Sequence, residues 1–169
     1  ISLFAVGQNV LAVPANSPYT SLKDLVSQMK AQPNILNMAS AGIGSTSHLA
    51  GVMLTSLAGV SAVHVPYKGA GPSVMSLLSG ESQWVFTPMQ GPIALIRSGK
   101  LRALAVGGSV RSAILPDVPT VKESDIAGYD MRNWYGLLAP AGTSKAIIDK
   151  LNTAIVRAVQ TSDIREQFA

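Results

Sequence analysis

Two stretches of the chain carry groups suited to holding an anion. In the first, Ser40, Ala41, Gly42, Ile43 and Gly44 lead directly into Ser45, Thr46 and Ser47. Glycine lets main-chain N–H groups approach a bound molecule closely, and hydroxyls at a helix start add donors beside the positive end of its dipole. A carboxylate suits such a place. The second stretch, Tyr67, Lys68, Gly69, Ala70, Gly71 and Pro72, offers similar backbone donors and one cation. Lys68 reads equally as the complement of an acidic ligand and as a solvated loop lysine. Either loop alone reads equally well as a tight turn with a helix cap, whereas the two together favour binding.

The surroundings of these loops exclude several chemistries. From Ala31 to Gly80, fifty residues, the one formally charged side chain is Lys68. Acid/base catalysis by paired carboxylates needs two acids placed together, and this region has none. The spacing of Gly42, Gly44 and Ser47 approaches a dinucleotide fingerprint, but the third glycine and the acidic residue about 20 positions on are missing. His48 and His64 have no Asp, Glu or Cys nearby in sequence to complete a metal shell, so both read as structural and no metal is expected. A Ser45/His48 nucleophile pair lacks an acid to orient the imidazole. No catalytic residue and no cofactor are therefore assigned.

These groups need elements to position them. Leu3 to Val13 reads as a buried strand, ended by Pro14, Asn16, Ser17 and Pro18. Ser21 or Thr20 can cap a helix over Leu22 to Ala31, with Leu22, Leu25, Val26 and Met29 at helical spacing. Three strand, loop and helix units follow. Ile35 to Ala39 is a strand leading through the first glycine loop to a helix from about Ser45 to Ala58, with Leu49, Val52, Met53 and Leu57 expected inward. Ala62 to Pro66 leads through the second loop to a helix from Pro72 to Ser79, closed by Gly80. Gln83 to Phe86 leads past Thr87 and Pro88 to a short helix over Ile93 to Ser98, and Leu101 to Val106 adds a further strand. This alternation predicts an α/β fold, a doubly wound and mainly parallel sheet with helices on both faces and its ligand site at the strands' carboxyl ends.

Farther on, Leu115 to Glu123 is an irregular connection, and Met131 to Ala139 is a strand in which Trp134 and Tyr135 read as packing residues. Thr143 or Ser144 caps a terminal helix whose Ile147, Ile148, Leu151, Ile155, Val156 and Val159 line one broad face. The chain has 169 residues, 47% hydrophobic, 13% charged and without cysteine. Charge is about half the roughly 25% usual for soluble domains, which excludes charge-driven disorder. Thiolate chemistry and disulfides are excluded as well. The net charge of +4 is spread along the chain rather than gathered in a run, so no nucleic-acid partner is expected.

Five segments together resemble the substrate-binding receptors of tripartite tricarboxylate transporters, the Bug receptor family. They are Ala39 to Leu49, His64 to Gly69, Ser98 to Val106, Leu115 to Val121 and Trp134 to Gly142, and their order and spacing run from about Asn9 to Phe168. The resemblance implies a periplasmic, non-catalytic receptor with two lobes of the type II periplasmic-binding-protein kind. Such a receptor closes on a small mono-, di- or tricarboxylic acid and delivers it to membrane permease subunits. Carried over by position, the ligand-binding residues would be Ser40, Ala41, Gly42, Gly44, Ser45, Thr46, Ser47, Tyr67, Lys68, Gly69, Gly71, Pro72 and Thr87. The family often has Asp where this chain has Thr87, and that departure leans toward plain carboxylic acids over amino acids.

The resemblance also implies a division of the chain. Residues 1–131 would form the second lobe, and residues 132–169 a crossover strand and terminal helix that return to a first lobe outside this chain. A signal peptide is likewise expected outside it. Without its usual partner, the helix is expected to pack abnormally on the sheet or to make an intermolecular contact. The alternative reading is an α/β enzyme or regulatory domain that binds an acidic or phosphorylated metabolite through the same two loops.

Overall fold

An apolar run with little alternation is what a strand covered on both faces needs. The computed structural model, which describes residues 1–164, forms that run into β1, Ser2–Pro14. Its segment from Asn9 to Val13 is fully buried. Helix α1, Leu22–Ala31, starts at Ser21 through a reciprocal capping box, in which Ser21 Oγ accepts from Asp24 N–H and the Asp24 carboxylate accepts from Ser21 N–H. Thr20 donates to the same carboxylate, and these bonds hold Asp24 below the usual carboxylate range.

Next come β2 (Asn37–Ser40), α2 (Thr46–Ala58), β3 (Val63–Pro66), α3 (Ala70–Ser79), β4 (Trp84–Pro88), α4 (Ile93–Arg97) and β5 (Leu101–Val106). Strand β6 (Arg132–Leu137) and helix α5 (Lys145–Val159) follow. The sheet runs β3-β2-β4-β1-β5, and β6 also pairs with β1. Strand β2 is parallel to β3 and β4, whereas β1 is antiparallel to β4 and β5. The doubly wound sheet is therefore mixed, with β1 as the strand that reverses direction.

The chain separates into two compact units, Gln8–Arg132 and a smaller one made of Ile1–Gly7 with Asn133–Ala169. In the larger unit, Leu11 and Val13 of β1, Met38 of β2, Trp84 and Phe86 of β4 and Leu104 of β5 pack against Leu22, Leu25 and Met29 of α1 and Ala50 and Leu54 of α2. On the other face Ala12, Ala39, Val85 and Leu101 meet Val74 and Leu77 of α3, with Leu95 and Ile96 of α4. Strict strand alternation sends neighbouring residues to opposite cores, so helices cover both faces.

The inward face of α2 differs from expectation. Its buried residues are Ser47, Ala50, Gly51 and Leu54, while Leu49, Val52 and Leu57 are 48%, 44% and 46% exposed. The helix is apolar on nearly every side, so periodicity does not select a face. Steric fit selects it instead: a Cβ on Gly51 would lie 2.0 Å from Met38 Sδ, so only a bare backbone lets α2 settle onto β2.

The smaller unit is tied by Ile1 N–H donating to the Leu137 carbonyl at 2.8 Å and by Asn152 Nδ2 donating to the Ile1 carbonyl at 3.0 Å. Trp134 and Tyr135, expected as packing residues, are 59% and 37% exposed. One strand pair and one helix supply too few layers to bury both faces of β6. No residue of α5 is buried, and Ile147, Leu151 and Val156 of its apolar face are exposed. The end of the expected returning segment, residues 165–169, lies outside the described residues.

The rotated face of α2 can be tested by denaturant unfolding. Gly51→Val is expected to cost about 1–3 kcal/mol by overpacking against Met38, whereas Leu49→Ser is expected to stay within about 0.5 kcal/mol of the parent. The reverse ranking would restore the face anticipated from spacing.

Candidate functional site

Parallel pairing brings the carboxyl ends of three strands to one edge. Ser40 of β2 is in register with Pro66 of β3, and Ala39 with Val85 of β4, so Ser40, Tyr67 and Thr87 leave the sheet near the same level. The two glycine loops, separate in sequence, meet there. Tyr67 N–H donates to the Ser40 carbonyl at 2.9 Å and Gly69 N–H to the Ala41 carbonyl at 3.2 Å. Gly42 has a φ of +122°, and a Cβ there would stand 3.3 Å from the Tyr67 carbonyl oxygen. Both the conformation and the close approach require glycine.

Most hydroxyls of the first loop are occupied in building it. Ser45 Oγ accepts from His48 N–H at 3.2 Å as the cap of α2 and donates to the Gly42 carbonyl at 2.6 Å. Ser47 Oγ, buried, accepts from Ala41 N–H at 2.8 Å and lies 3.1 Å from Ser45 Oγ. Ser40 Oγ accepts from Gly42 N–H at 3.1 Å. The outward parts are the exposed Ile43 and Gly44 and the start of α2 at Thr46, whose backbone N–H has no intrahelical acceptor.

Two histidines stand against the first loop. Their rings stack with centroids 4.0 Å apart, Gly44 N–H donates to His48 Nδ1 at 3.2 Å, and His64 Nε2 lies 2.6 Å from Ser40 Oγ. The Ser45 hydroxyl contacts the His48 main chain, so the imagined Ser45/His48 side-chain pair does not form. Burial, then the charge of His48, pushes the His64 imidazole below its ordinary value.

In the second loop, helix α3 begins at Ala70, two residues ahead of the expected Pro72, which places Gly71 inside its first turn. A proline at the third helical position costs no hydrogen bond, because the first four N–H groups of a helix have no acceptor within it. Gly69 is the N-cap and supplies no side-chain cap. The N–H groups of Ala70 and Gly71 therefore point outward from an uncapped helix start. Lys68 is exposed, while Tyr67 Oη donates to Glu81 Oε2 at 3.0 Å and lies 3.3 Å from Ser82 Oγ.

Thr87 is fully buried, and its Oγ1 has no hydrogen-bond partner. A Cβ on Gly91 would lie 4.0 Å from both Thr87 Oγ1 and Val74 Cγ2, which places the hydroxyl on the α3 face of the sheet. Asn9, in register with Pro88, is also fully buried with both amide atoms unpartnered. Sequence reasoning passed over Asn9; the available signal was an amide inside an otherwise apolar strand. Buried polar groups without partners are uncommon enough to mark this edge of the sheet.

The model of the tripartite tricarboxylate transporter family receptor matches residues 1–169. Protein BugT of Bordetella pertussis is 38% identical over 149 residues, covering 88% of this chain and 46% of that protein. Among solved structures, MatC from Rhodopseudomonas palustris with bound malate superposes with a TM-score of 0.91 at 32% identity, covering 96% of this chain and 55% of the other. R. palustris Rpa4515 with adipate gives 0.88 at 30% identity, covering 96% and 54%, and the periplasmic binding protein BugD 0.90 at 32%, covering 97% and 55%. The chain spans about half the length of the relatives it matches.

The contact between loops makes the two glycines unequal. Gly44, at a φ of +78° with open space around a Cβ, is expected to lose about 1–2 kcal/mol on substitution by alanine. Gly42→Ala adds the contact with Tyr67 and is expected to cost more, as a larger fall in Tm. Equal losses would show that the loops do not bear on each other.

Proposed function

Because the chain belongs to the tripartite tricarboxylate transporter receptor family, we propose that its larger unit is the second lobe of a periplasmic solute receptor. It binds a small carboxylate and hands it to membrane permease subunits. The observation that carries this reading is the uncapped start of α3 together with the buried, unpartnered Thr87 hydroxyl on the α3 face of the sheet. A carboxylate oxygen placed there would accept from backbone N–H groups and from Thr87 Oγ1, with about 0.3–1 kcal/mol more from the helix dipole. Ordered waters can bridge the remaining donors at little cost.

The ligand class follows from charge. No carboxylate side chain stands on either loop or at Thr87, so the amino group of an amino-acid ligand finds no counter-charge on these loops. Plain carboxylic acids fit better, and the malate and adipate bound by two structural neighbours support that class. The same lack of acids leaves no general acid/base pair for turnover, which supports a receptor over an enzyme.

The full-length receptor should be tested by thermal shift against mono-, di- and tricarboxylates. A true ligand at 100 times its Kd stabilises by about 2.7 kcal/mol. Thr87→Val, which keeps the shape and removes the hydroxyl, is expected to weaken that ligand by roughly tenfold or more, since a hydrogen bond to a charged group contributes about 1.5–3 kcal/mol. Absence of any shift across the panel, or full affinity in Thr87→Val, would overturn the corresponding part of the reading.

A further inference from the structure

The first glycine loop is held against two imidazole nitrogens. Gly44 N–H donates to His48 Nδ1, so that nitrogen carries no proton. Ser40 Oγ accepts from Gly42 N–H and lies 2.6 Å from His64 Nε2 and 3.3 Å from the Gly42 carbonyl. The rings stack at 4.0 Å with an interplanar angle of 19°. Two imidazolium cations at that separation would repel, and a proton on His48 Nδ1 would set a donor against the Gly44 N–H.

We propose that His48 and His64, as a stacked neutral pair, are positioning residues for the loop Ser40 to Ser47 and make it proton-sensitive: ordered at neutral pH and loosened in acid. The proposal rests on the carboxylate reading only for its consequence, an anion-receiving loop that responds to pH.

The groups around the pair leave little else to compensate a proton. Strands β2 and β3 and helices α2 and α3 carry no carboxylate and no cation beyond the histidines, and Lys68 stands in the loop between β3 and α3. Glu81, just past α3, accepts from Tyr67 Oη. Tyr129 donates to the Ala50 carbonyl of α2 and is kept neutral by burial, which raises its phenol. The charge acting on His64 is that of His48, and burial acts in the same direction. A folded imidazole that takes its proton at lower pH than the unfolded one favours the neutral pair. Its contribution to stability is full above the ordinary histidine value and is lost as pH falls through the folded value.

The test is an NMR titration of the isotope-labelled, ligand-free chain from pH 8 to pH 4.5, following both imidazoles and the amides of Gly42, Gly44 and Gly80. The His64 imidazole is expected to take its proton below the ordinary histidine value, with the Gly42 and Gly44 amides moving in step and Gly80, at the far end of α3, unmoved. His48→Phe keeps a ring on the stack and removes the acceptor. In that variant the Gly44 amide should lose its pH response and exchange with solvent several-fold faster at neutral pH. A His64 ring that titrates at or above the ordinary histidine value, a flat Gly44 amide in the parent, or a Gly44 response that survives in His48→Phe would each overturn the proposal. With no ligand present, such a failure leaves the carboxylate reading standing, and an empty thermal-shift panel would leave this result unaffected.

Discussion

The site depends on one constraint, that two glycine loops from adjacent parallel strands share backbone hydrogen bonds. The Ser40 and Ala41 carbonyls accept from Tyr67 and Gly69 N–H, and a Cβ on Gly42 would crowd the Tyr67 carbonyl oxygen. Those bonds join the two loops just ahead of the starts of α2 and α3, whose first N–H groups have no acceptor within the helix. Ser45, Ser47 and Ser40 complete the loop internally, so its hydroxyls act as struts more than as ligand donors.

The same economy of charge runs through the larger unit. With Lys68 the lone charge in the fifty residues around the loops, what the loops can offer an anion is mainly oriented peptide groups. Fixed dipoles need no counter-ion when the site is empty, whereas a buried arginine would carry a desolvation cost between ligands. The Thr87 and Asn9 side chains extend this polar edge into the sheet itself, where neither has a hydrogen-bond partner among the described residues. A stacked histidine pair under the loop adds two imidazoles in surroundings that contain little else able to titrate.

Much of the fold was legible because its punctuation is strong. Ser21 with Asp24 marks the start of α1, Gly80 ends α3, and Leu101 to Val106 stands out as an apolar strand; each boundary appears where local chemistry demands it. The face of α2 was illegible, since an all-apolar helix has no preferred side until Met38 needs the space that Gly51 leaves. Trp134 and Tyr135 misled for the opposite reason: large aromatic side chains are usually buried, but the smaller unit lacks a second layer to cover them. Asn9 went unnoticed because one amide does not break a strand pattern, although burial without partners makes it conspicuous in three dimensions.

The amino-acid sequence by itself determined the alternation of strands and helices, the two glycine loops, the absence of charge around them and the kinship with carboxylate receptors. Those properties are local, set by backbone preferences and by which residue types stand next to one another. Tertiary structure decided that the loops touch, that β1 runs against its neighbours, which serines are already spent, and that His48 meets His64. These are contacts between residues up to tens of positions apart, and they come into being only when parallel pairing of β2 with β3 and β4 aligns the strand ends.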